Sequence, residues 1–236
     1  MLSKSSKKSF AIIAIIVGAA GIGIGAYTIA TIGVNIDQTQ SPMPTNNPST
    51  ELGLHPLALN GSPVLGSLDA PITVIEFGDY QCPNCQRFAL QTKPLIIENY
   101  INTGKAKLVF KDFTIYGSDS INGAIATHCA AEQDMFWELH DYLYENKRAI
   151  NSGWLSAENI KNFASDMGLN IEQFNKCFDE RKYVTKVTEN YEEGRSIGVS
   201  GTPTFIIIGP DGQSIRVSGA QPFNVFQQVL DTMLEG

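Results

Sequence analysis

The chain has 236 residues, of which 43% are hydrophobic and 17% charged, a composition that suits one globular domain with a hydrophobic core and an additional segment. Its 24 acidic residues outnumber its 17 basic ones, which gives a formal net charge of −7. Because a nucleic-acid-binding domain presents a basic surface, this balance excludes nucleic acid from the expected partners.

An uncharged apolar run occupies residues 10–34. At a rise of about 1.5 Å per residue, a helix of that length crosses a hydrocarbon core of about 30 Å. Residues 1–9 contain three lysines, and no Lys or Arg follows the run before Arg87, so the positive-inside rule places the N-terminus in the cytoplasm and the rest of the chain outside. A cleaved signal peptide is the alternative, but its apolar region is usually shorter, about 7 to 15 residues. The sequence therefore favours a single-pass transmembrane anchor in the cell membrane.

Residues 35–55 are rich in Pro, Ser, Thr and Asn and lack an apolar period, which predicts a flexible linker. The folded domain is expected over residues 56–236. All four cysteines of the chain lie in this domain. Outside the cytoplasm an even number of cysteines favours disulfide chemistry, whereas in a reducing cytosol it would indicate a metal site or catalysis.

The domain begins with a strand, a helix and a second strand. The apolar, β-branched run at residues 70–77 predicts a buried strand. Helical spacing follows, with Pro83 just inside its start, Gly104 past its end and a kink expected at Pro94. Residues 105–113 predict the second strand. A strand–helix–strand unit requires that its two strands lie parallel in one sheet.

A helical region follows at about residues 118–198, with residues 121–147 as its longest helical stretch and Ser156 and Gly168 marking one capped helix. After it, "TPTFIIIG", a Pro-Asp-Gly turn and "QSIRVSG" predict a β-hairpin, and residues 221–235 predict an amphipathic helix. Without the helical region the order is βαβ then ββα, so the fold class is α/β with an inserted all-helical domain. The aromatic residues of the inserted domain are predicted to belong to its core: Phe136, Trp137, Tyr142 and Tyr144.

A Cys-Pro-Asn-Cys motif stands between the first strand and the first helix, and a C-x-x-C at that place is typical of thioredoxin-like redox proteins. At helical spacing, Cys82 and Cys85 share one face and can bond reversibly. Cys82 begins the helix, where unsatisfied N–H groups and the helix dipole favour its thiolate, so it is the expected attacking sulfur. Cys85, about one turn further, is expected to be covered and to resolve the mixed disulfide.

Two other interpretations of the motif stay open from the residues alone, an inert structural disulfide and a pair of unrelated core thiols. A zinc site requires four ligands, and the sequence has no second C-x-x-C and only three scattered histidines, His55, His128 and His140. The sequence thus predicts no metal and no cofactor apart from the redox-active Cys82–Cys85 disulfide.

An acidic residue interrupts the first strand. Glu76 lies six positions before Cys82 in an otherwise apolar run. On a strand buried on both faces, its carboxyl would lie under the active site with a pKa raised by desolvation, where it could accept the proton of Cys85. If the strand end is open to water, Glu76 is merely a solvated side chain.

Three segments in order, "VIEFGDYQCPNC", "CAAEQDMFWELHDYLY" and "GVSGTPTFIIIG", resemble the DsbA-like thiol:disulfide oxidoreductases of the thioredoxin superfamily in their membrane-tethered form from Gram-positive bacteria and archaea. The similarity covers roughly residues 57–234. It implies a thioredoxin fold with an inserted helical domain and a cis-proline loop that faces the disulfide and binds substrate. The roles it implies are nucleophile for Cys82, resolving cysteine for Cys85, buried acid for Glu76, and cis-proline loop for Thr202 and Pro203.

The resemblance also implies partners, namely thiol-containing exported proteins and a quinone-linked membrane protein that reoxidises the cysteine pair. One position departs from the family pattern. Members that are strong oxidants often carry His after the active-site proline, and this chain has Asn84 there. A neutral Asn helps the Cys82 thiolate less, which puts the oxidising strength in question.

The other two cysteines, Cys129 and Cys177, lie 48 positions apart on two different predicted helices. A structural bridge between them would stabilise the fold by about 4 kcal/mol if it acts by restricting the unfolded chain. Two separate buried thiols and a second redox relay are the alternatives.

Taken together, these features predict an anchored extracytoplasmic enzyme, a dithiol oxidase that introduces disulfides into exported proteins. A reductase or isomerase of the same fold would run the same exchange in the opposite direction. A non-enzymatic tethered binding or chaperone module, in which the motif only staples a helix, is the third hypothesis.

Overall fold

The computed structural model describes Leu57 and residues 63–235. The predicted cytoplasmic residues 1–9, membrane anchor 10–34 and linker 35–55 lie outside this described part. Among the helices within it, none combines the length and the apolar character that a bilayer span requires.

The strands of the described chain form one four-stranded sheet in the order β2–β1–β3–β4. Strand β1 (Ile72–Gly78) pairs in parallel with β2 (Ala106–Asp112) and antiparallel with β3 (Thr204–Ile208). Strand β3 forms a hairpin with β4 (Ser214–Ser218). This arrangement confirms the predicted parallel pair and its antiparallel extension. Strand β1 starts two residues later than predicted, after Pro71, which has no N–H for a ladder hydrogen bond.

The first helix, α1, runs from residue 83 to residue 101 and alternates between α and π geometry. It is α-helical at Pro83–Arg87 and Lys93–Ile96 and widens to π turns at Phe88–Thr92 and Ile97–Ile101. At Pro94, where a kink is expected, the structure has a π turn directly before the proline, in which the Lys93 N–H bonds to the Phe88 carbonyl five residues earlier. A wider turn accommodates a proline, which lacks the N–H of a regular α-helical hydrogen bond.

Five helices occupy the predicted helical region: α2 (Ser118–Ala131), α3 (Phe136–Glu145), α4 (Ala157–Asp166), α5 (Ile171–Asp179) and α6 (Val184–Ser196). The single stretch expected over residues 121–147 is therefore wrong. It divides into α2 and α3 because the chain turns at Asp134, whose φ is +59°. The final helix, α7 (Phe223–Glu235), begins two residues later than predicted.

Apolar side chains cover both faces of the sheet. One face packs against α1 and α7 through residues such as Val74, Phe205 and Phe226, and the other carries Phe77, Val109 and Phe113. A third cluster fills the helical domain, and it includes Cys82 and Cys85 together with Phe110 of β2. The cysteine motif therefore lies where the sheet meets the helical domain.

Cys129 on α2 and Cys177 on α5 are joined by a disulfide, with Cα atoms 5.8 Å apart. Both residues are buried in the helical domain. In this structure the pair is the bridge that the sequence suggested, not two separate thiols. Of the predicted aromatic core, Phe136 and Tyr144 are buried, while Trp137 and Tyr142 are half-buried against the same cluster.

Candidate active site

Cys82 and Cys85 are free thiols at the start of α1. Cys82 caps the helix in an extended conformation, with φ −73° and ψ 124°, and Pro83 takes the first helical position. A proline fits there because its missing N–H would have no intrahelical partner. Cys82 is 2% exposed, and Cys85 is fully buried, as predicted.

The two thiols have opposite acidities. Hydrogen bonding from Cys85 is the main cause that lowers the pKa of Cys82 to about 6, helped by Thr202 and by the backbone N–H groups of Asn84 and Cys85, while burial opposes the change. Burial, followed by its hydrogen bond to Cys82, holds the pKa of the Cys85 thiol well above its usual value. At neutral pH the pair therefore consists of a Cys82 thiolate and a protonated Cys85.

The loop before β3 contacts the first cysteine. The Thr202–Pro203 peptide is cis, as expected from the sequence, and the Thr202 carbonyl oxygen lies 3.3 Å from the Cys82 sulfur. The Pro203 carbonyl accepts a 2.8 Å hydrogen bond from the Gly219 N–H, and the Thr204 hydroxyl donates to the Gly201 carbonyl. These bonds fix the loop against the end of the hairpin, directly beside the Cys82 sulfur.

Glu76 lies inside the protein on β1. It is 1% exposed, and its Oε1 has no hydrogen-bond partner. Burial raises the pKa of Glu76 to about 8, an effect reduced by the charge of Lys93 and increased by Cys82 and Asp141. Glu76 is thus the desolvated acid that the strand pattern predicts, and a mainly neutral one near pH 7, rather than a solvated side chain.

Sequence reasoning missed a second buried carboxylate, Asp79, in the loop between β1 and Cys82. Its oxygens accept hydrogen bonds from the backbone of Gln81 at 2.8 Å and of Ile115 at 2.7 Å, and from the Ser120 hydroxyl at 2.6 Å. The Tyr116 N–H adds a longer bond of 3.3 Å. Asp79 therefore ties the loop before the motif to the helical domain. The only sequence feature that marks Asp79 is the Gly78-Asp79 pair directly after the first strand.

Sequence reasoning also missed a charged group on the helical-domain side of α1. Lys93 is buried, and its Nζ pairs with Asp141 of α3. The same Asp141 oxygen receives a 2.7 Å hydrogen bond from Nδ1 of His140. Burial lowers the pKa of His140 to about 4, so its ring is neutral at physiological pH.

Within residues 63–235 and Leu57, no cluster of three or more His, Cys, Asp or Glu side chains is arranged to hold a metal ion. His128 and His140 each pair with an aspartate, the former with Asp112 at 2.8 Å. The described site presents two free thiols and, near them, a buried carboxyl group on β1.

Comparison with known proteins identifies a family model and a curated relative that each match most of the chain. The sequence model of the family described as "Thioredoxin" matches residues 59–231. A Bacillus anthracis protein named "Probable disulfide bond formation protein D" is 30% identical over 178 residues, which cover 72% of this chain and 82% of that protein.

Solved structures show the same fold. The oxidised form of BdbD from Bacillus subtilis superposes with a TM-score of 0.67 at 24% identity, covering 75% of this chain and 94% of that one. Alpha-DsbA1 from Wolbachia pipientis superposes with a TM-score of 0.65 at 25% identity, covering 72% of this chain and 89% of that one.

Proposed function

Because this chain belongs to the DsbA-like thiol:disulfide oxidoreductases of the thioredoxin family, we propose that it is a dithiol oxidase that introduces disulfides into exported proteins through Cys82 and Cys85. The observation that carries the proposal is the unequal placement of the two thiols: Cys82 begins α1 beside the Thr202 carbonyl, and Cys85 is fully buried three residues later. A low pKa of Cys82 stabilises the reduced form as a thiolate. Since the reduced form is favoured, the disulfide form is a good electron acceptor.

The proposed reaction starts from the Cys82–Cys85 disulfide. A substrate thiolate attacks the sulfur of Cys82, the Cys82–Cys85 bond breaks, and Cys85 leaves as a thiolate. Glu76, mainly neutral near pH 7, supplies the proton that Cys85 takes up. A second substrate thiolate then attacks the substrate sulfur of the mixed disulfide, which forms the substrate disulfide and releases Cys82 as a stabilised thiolate. Two electrons have passed from substrate to enzyme.

Thr202 is proposed to hold the substrate during this exchange. Its carbonyl lies 3.3 Å from the Cys82 sulfur, and its loop is fixed by the Pro203–Gly219 hydrogen bond. An extended substrate segment that pairs with this backbone would bring its own cysteine into line with Cys82.

The cellular setting of the proposal rests on the sequence. The apolar run at residues 10–34 would anchor the enzyme in the membrane with its catalytic domain outside the cytoplasm. Each cycle leaves the cysteine pair reduced, so a second oxidant must remove two electrons. A quinone-linked membrane protein is the partner that the family resemblance suggests.

The test is the reduction potential of the pair in the full-length protein, measured by equilibration with glutathione. An oxidase requires a potential more oxidising than that of glutathione, together with oxidation of a reduced, unfolded substrate protein that is lost in Cys82→Ser. A potential below that of glutathione would instead indicate a reductase. The neutral Asn84 favours this alternative, because Asn stabilises the Cys82 thiolate less than His would. If the protein is a non-enzymatic module whose cysteine pair only stabilises the helix, Cys82 should show no selective alkylation in the folded, reduced protein.

A further inference from the structure

Gln81, the residue directly before Cys82, is fully buried and joins separate segments of the chain. Its side-chain amide nitrogen lies within hydrogen-bond distance of three acceptors: the Tyr116 carbonyl at 3.1 Å, the Ser120 hydroxyl at 3.0 Å and Oδ1 of Asn151 at 3.3 Å. A buried amide whose polar groups are all engaged holds its neighbours in one arrangement. The proposed thiol exchange makes no use of this amide.

The contact between Gln81 and Asn151 is reciprocal. The Asn151 N–H donates to Oε1 of Gln81 over 2.7 Å, while Oδ1 of Asn151 accepts from the Gln81 amide. Asn151 has a left-handed backbone, with φ +54°, a conformation that asparagine adopts more readily than most residues. It lies in the loop between α3 and α4. Two hydrogen bonds therefore join this loop of the helical domain to the residue next to the nucleophile.

The same loop is anchored again a few positions further along the chain. Trp154 and Leu155 are buried in the apolar cluster that also contains Cys82. Ile150, directly before Asn151, is instead 38% exposed. The loop backbone is thus fixed beside the cysteine motif, and it presents one apolar side chain to solvent.

The position of Ile150 gives this exposed side chain a role, although single exposed apolar residues are common on protein surfaces. Its chain neighbour is hydrogen-bonded to the residue that precedes the nucleophile. Cys82 is almost fully covered, so a substrate sulfur reaches it only when the substrate chain also covers the surrounding surface. The occupant of this surface is therefore the polypeptide whose cysteine exchanges with Cys82.

We propose that Ile150 binds an apolar side chain close to the reacting cysteine of the substrate, and that Gln81 is the positioning residue that holds the Ile150 loop beside Cys82. The inference rests on the proposed function, in which Cys82 exchanges disulfides with exported proteins. The contact is non-covalent and adds a sequence preference: cysteines with an apolar neighbour react faster than cysteines in polar segments. Cysteine is among the most often buried residue types, so such neighbours suit cysteines that form structural disulfides.

The experiment follows mixed-disulfide formation by Cys82 in the full-length protein with Cys85→Ser, which removes the resolving thiol. The probes are peptides with one cysteine, activated as its disulfide with thionitrobenzoate. Attack of the Cys82 thiolate on the peptide sulfur forms the mixed disulfide and releases coloured thionitrobenzoate, so absorbance gives the rate. Each test peptide carries a single Leu one, two or three positions from its cysteine, and the reference peptide has Ser at all of these positions.

The Cys85→Ser protein should react about 3 to 10 times faster with at least one Leu peptide than with the reference, because the contact removes apolar surface from water. Adding Ile150→Ser should abolish this preference. Adding Gln81→Met should reduce it, because the loop loses its hydrogen bonds. The two changes together should lose no more than Ile150→Ser alone, since both act on one contact.

Leu68→Ser is the matched control. Leu68 is 46% exposed but precedes β1, whereas the cysteine motif follows that strand, so Leu68 lies at the opposite end of β1. This variant should keep the full preference. Hydroxyethyl disulfide, a small polar disulfide without a peptide, should react with every variant at the same rate within about twofold, because the Cys82 thiolate is unchanged. A merely structural role of Gln81 predicts lower stability without a change in preference.

Equal rates with the Leu and Ser peptides, or a preference that survives in Ile150→Ser, would overturn the proposal. A full preference in folded Gln81→Met would overturn the role of Gln81. If that variant does not fold, Asn151→Gly takes its place, because glycine keeps the left-handed backbone and removes the Oδ1 acceptor, and it should also reduce the preference.

Mixed-disulfide formation does not depend on the net direction of electron flow. A protein that shows the Leu preference but has a reduction potential below that of glutathione would overturn the proposed oxidase and leave this inference standing. Exchange without the preference would do the reverse. A Cys82 that reacts with none of the peptides would overturn both.

Discussion

At the scale of single residues, the difference between Cys82 and Cys85 comes from one turn of helix. Cys82 lies at the N-terminus of α1, where backbone N–H groups stabilise its thiolate, whereas Cys85 is fully enclosed three positions later. The hydrogen bond between them lowers the pKa of the first thiol and raises that of the second. A neutral Asn84 is therefore compatible with an acidic Cys82.

The first prediction is that thiolate absorbance of the reduced protein titrates near pH 6 and is lost in Cys82→Ser. The pH dependence of stability follows from the sign of the shift. A folded-state pKa below the unfolded value of about 8.5 gives stabilisation that is fully present above pH 8.5 and lost as the pH falls through about 6.

Urea unfolding of the reduced protein between pH 5 and pH 9, with Cys82→Ser as reference, isolates this contribution from those of other groups. The difference in unfolding free energy between the two proteins should grow as the pH rises. Absorbance that rises only near pH 8.5, or that survives in Cys82→Ser, would contradict the assignment of Cys82 as the acidic thiol.

The sequence predicted the catalytic candidates because each has a local signal. Cys82 and Cys85 stand in a recognisable spacing, and Glu76 interrupts an apolar strand. Lys93 and Asp141 have no such signal. They belong to helices 48 positions apart in sequence, and Lys93 follows a π turn that periodicity does not predict.

At the scale of elements, helix α6 approaches the sheet closely at Gly194. A Cβ atom at this position would lie 2.8 Å from Cδ2 of Phe113 and 3.0 Å from Cδ1 of Phe77. Both rings are buried, so they have little room to move. Gly194 is therefore required by the packing of α6 on the sheet, although glycine is a poor helix former.

We predict that Gly194→Ala destabilises the protein by up to about 2 kcal/mol, because a steric cost of about 1 to 3 kcal/mol outweighs the gain of about 1 kcal/mol in helix propensity. Chemical denaturation measures the change. Gly201→Ala is the control, since a Cβ there meets no atom within 4 Å, and it should stay within about 0.5 kcal/mol. Equal or greater stability of Gly194→Ala would show that α6 can move away from the sheet.

Elements with strong local signals were predicted well. The strands and the hairpin have apolar, β-branched runs, and α4 starts after Ser156, whose hydroxyl accepts from the Asn159 N–H as a cap. The break between α2 and α3 was missed because it depends on a left-handed backbone at Asp134, a conformation that few non-glycine residues adopt and that apolar periodicity does not reveal.

At the scale of the whole molecule, the bridge between Cys129 and Cys177 belongs to the helical domain alone. It joins α2 to α5, and neither cysteine is more than 4% exposed. Such burial keeps external thiols away from the bridge, so it is expected to stabilise the domain rather than to take part in exchange.

We predict that the double variant Cys129→Ser and Cys177→Ser is less stable by about 4 kcal/mol and keeps an acidic Cys82, because loss of the bridge frees the unfolded chain without touching the site. Denaturation and thiol titration measure the two properties. In the reciprocal variant, Cys82→Ser with Cys85→Ser, peptide mapping without reductant should still recover the linked peptides. Free Cys129 and Cys177 in that oxidised, folded protein would contradict a structural bridge.

The two parts of the molecule meet at Asp79, and this contact determines how firmly the cysteine motif is held. Asp79 accepts hydrogen bonds from Gln81 next to the motif and from Ile115, Tyr116 and Ser120 at the start of the helical domain. Burial raises the pKa of Asp79, and these hydrogen bonds oppose that change. A single carboxylate thus connects the loop of the sheet domain to the domain inserted after β2.

The last prediction is that Asp79→Ala destabilises the protein by about 3 kcal/mol or more, because several buried donors lose their acceptor at about 1 to 3 kcal/mol each. Asp119→Ala is the matched control, since Asp119 accepts one bond, from the Gly153 N–H at 3.1 Å, and its loss should cost about 1 kcal/mol. Urea unfolding compares the two variants, and thiol exchange by the folded fraction should slow only in Asp79→Ala, whose loop precedes Cys82. Equal costs and unchanged exchange would mean that the helical domain holds the motif without Asp79.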